Sequence, residues 1–278
     1  MARKTSTSAT TISTSPPSSA SGLSGATSRA SEDPSGSGGD DSSLNEQVSA
    51  RLAQVRSRIT GAGGDASAVR IVAVTKGFGP EAVRAALANG LCDLGENYAG
   101  ELERKWPASQ GHKRPRAEAD ALWHFLGSIQ RNKVAALAPL VALWQSVARE
   151  VEVERIARCA PGARVLVQVD TTGLPGRNGC LLERAPSLVA HCADLGLDVR
   201  GLMTVAAPGS NAAATFESVS RLADQLGLPE RSMGMSGDLE EAVAAGTTMV
   251  RLGRALFGDR PPPEAVAGRR GGSRAPRP

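Results

Sequence analysis

VRIVAVTK at 69–76 is the stretch on which the fold turns. Its β-branched, apolar run is what a strand buried on both faces of a parallel sheet requires. A helix-spaced piece, PEAVRAALANG (80–90), follows, and then a second strand-like run, CDLGEN (92–97). Working outward, the same alternation continues through LWHFLG (122–127), LWQSV (143–147), RVLVQVD (164–170), VRGLMTV (199–205), RSMGM (231–235) and TMVRLG (248–253). The pieces NKVAALAPL, LLERAPSLVAHCADLG, AAATFESVSRLADQLG and DLEEAVAAG between them have helical spacing, and several end in Gly, the residue best suited to a left-handed cap. Eight strands alternating with helices predict a single α/β domain, a TIM (β/α)8 barrel, preceded by an extra helix near 44–60. A doubly wound sheet would use fewer strands and a glycine-rich first turn; Gly77 and Gly79 lack the third glycine of that turn.

Composition fits this reading. The chain has 278 residues, 41% hydrophobic but only 3% aromatic, so the core packs mainly with Ala, Val and Leu. No apolar run reaches the length that spans a bilayer, which excludes a membrane protein. Residues 1–43, rich in Ser and Thr, cannot bury enough apolar surface to offset their ordering entropy, and a disordered extension is expected there. It has neither an apolar core after Lys4 nor amphipathic Arg periodicity, so it reads as low-complexity sequence and not as a targeting leader. Residues 261–278, rich in Pro and Arg, are expected to form a second disordered tail, leaving 44–260 as the barrel. The formal charge of +4 sits largely in that tail and forms no basic stripe, so no nucleic-acid partner is expected. Cys92, Cys159, Cys180 and Cys192 make no C-x-x-C pair and read as buried thiols of a reducing cytoplasm, with no metal site.

Barrel chemistry sits at the carboxyl ends of the strands. Lys76 closes the apolar run IVAVT. Burial there pushes its amine toward neutrality, the form that attacks an aldehyde; a lysine that snorkels to solvent is the plain alternative. Ser236 and Gly237 follow the seventh strand, with Ser236 or Asp238 as helix cap, and Gly253 with RALFG follows the eighth. The last two loops of such barrels commonly hold phosphate. An aldehyde-trapping lysine beside a phosphate cradle describes pyridoxal 5′-phosphate.

AVTK (73–76), LGENYAGEL (94–102), WHFLGSIQRNK (123–133), LWQSV (143–147), VLVQVD (165–170), GLMTV (201–205) and SMGMSGDLEEAVAAGTTMVRLGRALFG (232–258) resemble, in order and spacing, the pyridoxal phosphate homeostasis proteins. The resemblance implies an alanine-racemase-type barrel that carries the cofactor as a Schiff base on Lys76. It implies phosphate contacts from Ser236, Gly237, Gly253 and Arg254, Arg251 near the pyridine nitrogen, and Asn97, Met203 and His124 beside the cofactor. An arginine there leaves the ring nitrogen unprotonated and disfavours carbanion chemistry. Three positions depart from the family's pattern: Arg254 where a hydroxyl is common, Arg177 where Lys is frequent, and Ala148 where Asp is frequent.

The implied function is a carrier that buffers the cofactor and hands it to apo-enzymes, as a monomer or weak dimer in the cytoplasm. The alternative is a racemase or decarboxylase of the same barrel. Such an enzyme needs a second proton carrier, and the one tyrosine, Tyr98, lies in the Asn97 loop, with Asp170 and His124 as the remaining substitutes. A third reading is a barrel that binds another phosphorylated ligand without an imine.

Overall fold

The computed structural model of the chain describes residues 38–110 and 121–260. The tail at 261–278 and positions 1–37 of the Ser/Thr-rich stretch lie outside the described residues.

Eight parallel strands close on themselves: β1 (Arg70–Val74), β2 (Asp93–Glu96), β3 (Leu122–Phe125), β4 (Val141–Val147), β5 (Arg164–Asp170), β7 (Asp198–Thr204), β8 (Glu230–Ser232) and β9 (Met249–Leu252). Each pairs with the next, and β9 pairs with β1 through Val72↔Arg251 and Ala73↔Leu252 to complete the barrel. The remaining strand, β6 (Cys180–Leu181), was not expected; it pairs with the end of β5 at Val169 and Asp170. Helices follow the strands on the outside: α2 (Pro80–Ala88), α3 (Ala99–Lys105), α4 (Val134–Leu137), α5 (Glu150–Cys159), α6 (Ala185–Asp194), α7 (Ala212–Gln225), α8 (Leu239–Ala244) and α9 (Arg254–Phe257).

The two-residue period of the strands sorts the core into two compartments. Ile71 and Ala73 face outward into the main shell between sheet and helices, where Trp123, Phe125 and Trp144 are also buried. Val72 faces inward and packs with Leu143, Leu166, Met203 and Met249 in a small cluster of its own. The helix expected over 44–60 is α1 (Gly38–Gly61), whose first residues fall inside the stretch read as disordered. Its buried stripe of Val48, Leu52, Val55 and Ile59 has the spacing of one helical face and lies against α2, α8 and α9.

Two elements are shorter than their sequence suggests. NKVAALAPL yields the single turn α4, because Pro139 provides no N–H to continue the helical bonding. RSMGM yields only β8, because Gly234 adopts φ +93° and turns the chain toward the carboxyl mouth. Of the four cysteines, none of which is in a disulfide, only Cys92 and Cys192 are buried; Cys159 and Cys180 are half-buried, a correction to the reading of all four as interior thiols.

Gly201 on β7 marks the tightest approach between strands, since a Cβ there would lie 1.9 Å from the Glu230 carbonyl oxygen. Gly201→Ala is therefore expected to destabilise the barrel by about 3 kcal/mol through overpacking. Gly237, whose Cβ would meet nothing within 4 Å, should accept Ala with far less loss when both variants are unfolded in urea.

Candidate functional site

A cleft of about 640 Å³ opens at the carboxyl ends of the strands. Lys76, Asn97, Met203, Ser236, Gly237, Arg251, Gly253 and Arg254, eight of the residues anticipated from sequence, all line it. Lys76 stands half-buried just beyond β1, and its ammonium is held below the ordinary lysine range. Burial is the main cause and the nearby Arg260 guanidinium the next, with Glu96 pulling the other way.

The turn that carries Lys76 is clamped from behind. Lys105, at the end of α3 and 2% exposed, donates to the Thr75 carbonyl (2.7 Å), to Glu101 (2.8 Å) and to the fully buried Glu96. The Thr75 hydroxyl donates to Glu96 Oε1 at 2.8 Å, and the N–H of Gly77 donates to Glu101 at 2.9 Å. Both neighbours of Lys76 are thus tied to one buried ion cluster. Its other arm reaches the N–H of Asn97, which donates to Glu96 Oε2 at 3.1 Å. Burial pushes the Glu96 carboxyl up, the Lys105 ammonium pulls it back, and the balance stays above the usual carboxylate range. Gly127 completes this wall, since a Cβ there would lie 1.9 Å from the Asn97 carbonyl oxygen.

Opposite Lys76, the loops after β8 and β9 are stitched together. The N–H of Ala255 donates to Ser236 Oγ at 3.2 Å, while Arg58 of α1 donates to the Ser236 carbonyl at 3.2 Å and pairs with Glu240 at 2.7 Å. Asp238 occupies the cap position of α8 but makes no side-chain cap bond; it accepts instead from the N–H of Met235. Among the described residues the backbone N–H groups of Ser236, Gly237 and Arg254 donate to no protein atom. Three unused donors at one lip form a concavity suited to an anion. Below them Arg251 is 5% exposed, and burial lowers its guanidinium only to about 10, so it is charged at neutral pH.

His124 is placed elsewhere. It does not line the cleft but lies inside the barrel, with Nε2 3.0 Å from Asp93 Oδ1 and Nδ1 2.6 Å from Gln145 Nε2. Its strand phase points it inward, one layer below the mouth, so it is not beside a ligand in the cleft. Asp170 is locked into its own loop by bonds from Thr172, Gly173 and Arg177. Burial raises that carboxyl, but these bonds outweigh it and hold it below the usual range. Tyr98 is 61% exposed and does not line the cleft. Leu126, Ser128, Gln168, Asn178 and Arg260 also line the cleft; Leu126, Ser128 and Gln168 lie in stretches that carry the family resemblance, but none of the five is assigned a role from sequence.

The family model for the N-terminal domain of alanine racemase matches residues 46–261. A pyridoxal phosphate homeostasis protein of Deinococcus radiodurans is 40% identical over 217 residues, 76% of this chain and 99% of that one. The chain belongs to the pyridoxal phosphate homeostasis protein family. A second member of that family, from Pseudomonas aeruginosa, is 36% identical over 79% of this chain and 96% of its own length. Among solved structures, PipY of Synechococcus elongatus with pyridoxal phosphate bound superposes with a TM-score of 0.62 at 30% identity, covering 76% of this chain and 100% of that one. The lysine decarboxylase of Selenomonas ruminantium, at 17% identity and a TM-score of 0.54 over 76% of this chain and 60% of that one, shares the barrel fold.

Of this family member's departures, Arg177 is engaged with Asp170 at 3.0 Å and donates to the Val205 carbonyl, while Arg254 is exposed at the cleft lip. Ala148 leaves its N–H donating to Glu152 at 2.9 Å.

The ion cluster predicts the cost of its loss. Lys105→Met leaves Glu96 buried without its cation and should destabilise the protein by about 3–5 kcal/mol. Because the folded-state Glu96 titrates above its unfolded value of 4.5, its charged form opposes folding. The variant should be more stable at pH 5 than at pH 8 in urea titrations, losing stability as pH rises through the raised pKa. Lys105→Met with Glu96→Gln should recover part of the loss.

Proposed function

We propose that this protein binds pyridoxal 5′-phosphate in the carboxyl-mouth cleft, buffers it there and releases it to apo-enzymes, without turnover of its own. What carries the reading is the convergence of a desolvated amine and three unused backbone N–H donors on one cleft of about 640 Å³. That volume is in the range of sites for small cofactors. The residues present fit the group. Lys76 offers the amine, Ser236, Gly237, Gly253 and Arg254 would hold the phosphate, and Arg251 would face the pyridine nitrogen, with Asn97 and Met203 along the walls. When bound, the cofactor supplies an aldehyde that condenses with a primary amine and loses water.

The protein's own residues favour holding over catalysis. Arg251 cannot surrender a proton to the ring nitrogen at neutral pH, so the ring is a weak electron sink. A racemase also needs a second acid–base group opposite the lysine. Asp170 is committed to four hydrogen bonds and His124 lies below the cleft, so neither is available for that role. No helix among the described residues is long and apolar enough to cross a membrane, and no group of three or more His, Cys, Asp or Glu among them can hold a metal. Cys180 and Cys192 are pushed up to about 11 and about 12 by burial and stay thiols, which suits the reducing cytoplasm proposed for this protein. A monomer or weak dimer accords with a cleft complete within one chain.

Intact mass after borohydride reduction with pyridoxal 5′-phosphate should show one phosphopyridoxyl group, lost in Lys76→Arg. The rate of capture should rise with pH and level off below 10.5, the ordinary lysine value, because the neutral amine reacts. With L- or D-alanine in deuterium oxide, α-proton exchange should stay at the rate of free cofactor. Exchange well above that rate would favour the racemase or decarboxylase reading, and phosphate-competed binding with no mass gain would favour another phosphorylated ligand.

A further inference from the structure

Arg251 is the most deeply buried cation of the cleft, yet among the described residues no carboxylate touches it. Its bonds go to the carbonyl of Thr204 (2.7 Å) and to the carbonyl and hydroxyl of Ser232 (2.6 and 2.7 Å). Asp238 supports its charge without touching it, but a buried cation with no carboxylate in contact is unfavourable, so what stands behind Ser232 matters.

Behind it is a single file of side chains. Ser232 Oγ donates to Gln145 Oε1 at 2.7 Å, Gln145 Nε2 donates to His124 Nδ1 at 2.6 Å, and His124 Nε2 donates to Asp93 Oδ1 at 3.0 Å. The directions are forced. A carboxylate only accepts, so Nε2 carries the imidazole proton and Nδ1 is left to accept from the amide. The second amide N–H of Gln145 donates to Met249 Sδ at 2.9 Å, which fixes the amide in that orientation. Ser232 and Gln145 are fully buried and His124 is 1% exposed, so water does not interrupt the file. Every bond therefore donates the same way, from the guanidinium at the carboxyl mouth to Asp93, the first residue of β2, toward the amino end. Aligned bonds polarise one another, and each side chain of the file turns its acceptor atom toward the cation and its donor away from it.

We infer that His124 and Asp93 are positioning residues for the cofactor site, acting on Arg251 through Gln145 and Ser232 from inside and beneath the barrel. The relay adds a spread counter-charge to that of Asp238, which lines the cleft and favours the charged guanidinium without touching it. It holds the guanidinium charged and oriented, and so keeps the ring nitrogen it faces free of a proton. This rests on the cofactor reading above. It also gives His124 a role that does not require it to touch the ligand.

The borohydride-reduced adduct on Lys76 is stable, and protonation of its pyridine ring is followed by ultraviolet absorbance and fluorescence. In Gln145→Leu the midpoint for ring protonation should rise by about one pH unit, a roughly tenfold gain in proton affinity, with the mass of the adduct unchanged. Asp93→Asn keeps the shape of the side chain, lies outside the cleft, and should shift the midpoint in the same direction. A merely structural role would lower the unfolding midpoint without moving this titration. Unshifted midpoints in both variants, with the adduct present, would overturn the inference. Failure of the parent protein to form an adduct would overturn the cofactor reading instead. If Gln145→Leu does not fold by circular dichroism, Asp93→Asn decides alone.

Discussion

Everything at the carboxyl mouth depends on holding one primary amine, that of Lys76, partly out of water and in one place. A lysine on a strand end would otherwise extend its flexible stem to solvent, where its ammonium is best hydrated. Two features oppose this. The strand beneath it is buried over Ile71–Thr75, and the backbone on either side is fastened to the Lys105–Glu96–Glu101 cluster. The cations of the cleft, Arg251 and Arg260, add to the cost of charging the amine. The same positive surroundings that depress the lysine attract an anionic ligand, so one arrangement serves both the covalent and the electrostatic part of binding.

Two buried polar systems of opposite construction support the mouth. On the outer side of the sheet, the Lys105 cluster uses full charges in direct contact, with all three ammonium protons and both Glu96 oxygens engaged, which is the condition under which a buried ion pair is tolerated. Inside the barrel, the file from Arg251 to Asp93 uses neutral dipoles to separate cation from anion by three side chains. The difference matches the tasks. The first fixes backbone, where a rigid contact pair is an advantage; the second fixes a charge that faces the ligand, where a neighbouring carboxylate would neutralise it.

Much of this was legible in the sequence. The barrel strands each announce themselves as short apolar runs, and Lys76, Ser236 and Arg251 stand at positions where runs end. What was hidden has physical reasons. Lys105 sits in AGELERK, which reads as an ordinary charged helix face; only the packing of α3 against β2 turns its ammonium inward. Gln145 lies in the quoted stretch LWQSV, but neither it nor Asp93 is marked there as a site residue, and their meeting with His124 depends on barrel register, which adjacent sequence does not encode. His124 was expected beside the cofactor because it belongs to a recognisable stretch, and its inward phase places it one layer too deep. The early start of α1 and the short β6 are boundary effects of the kind that local patterns define least well.

The central claim, a single covalent tether with the phosphate at the opposite lip, is tested most directly by a crystal structure of the protein grown with pyridoxal 5′-phosphate. The account predicts continuous electron density from Lys76 Nζ into the ligand, with the phosphate resting on the N–H groups of Ser236, Gly237 and Arg254 and the ring nitrogen facing Arg251. A ligand lying the other way round, phosphate toward Arg177 and Arg260, or a Lys76 side chain turned out to solvent beside unattached ligand, would contradict it.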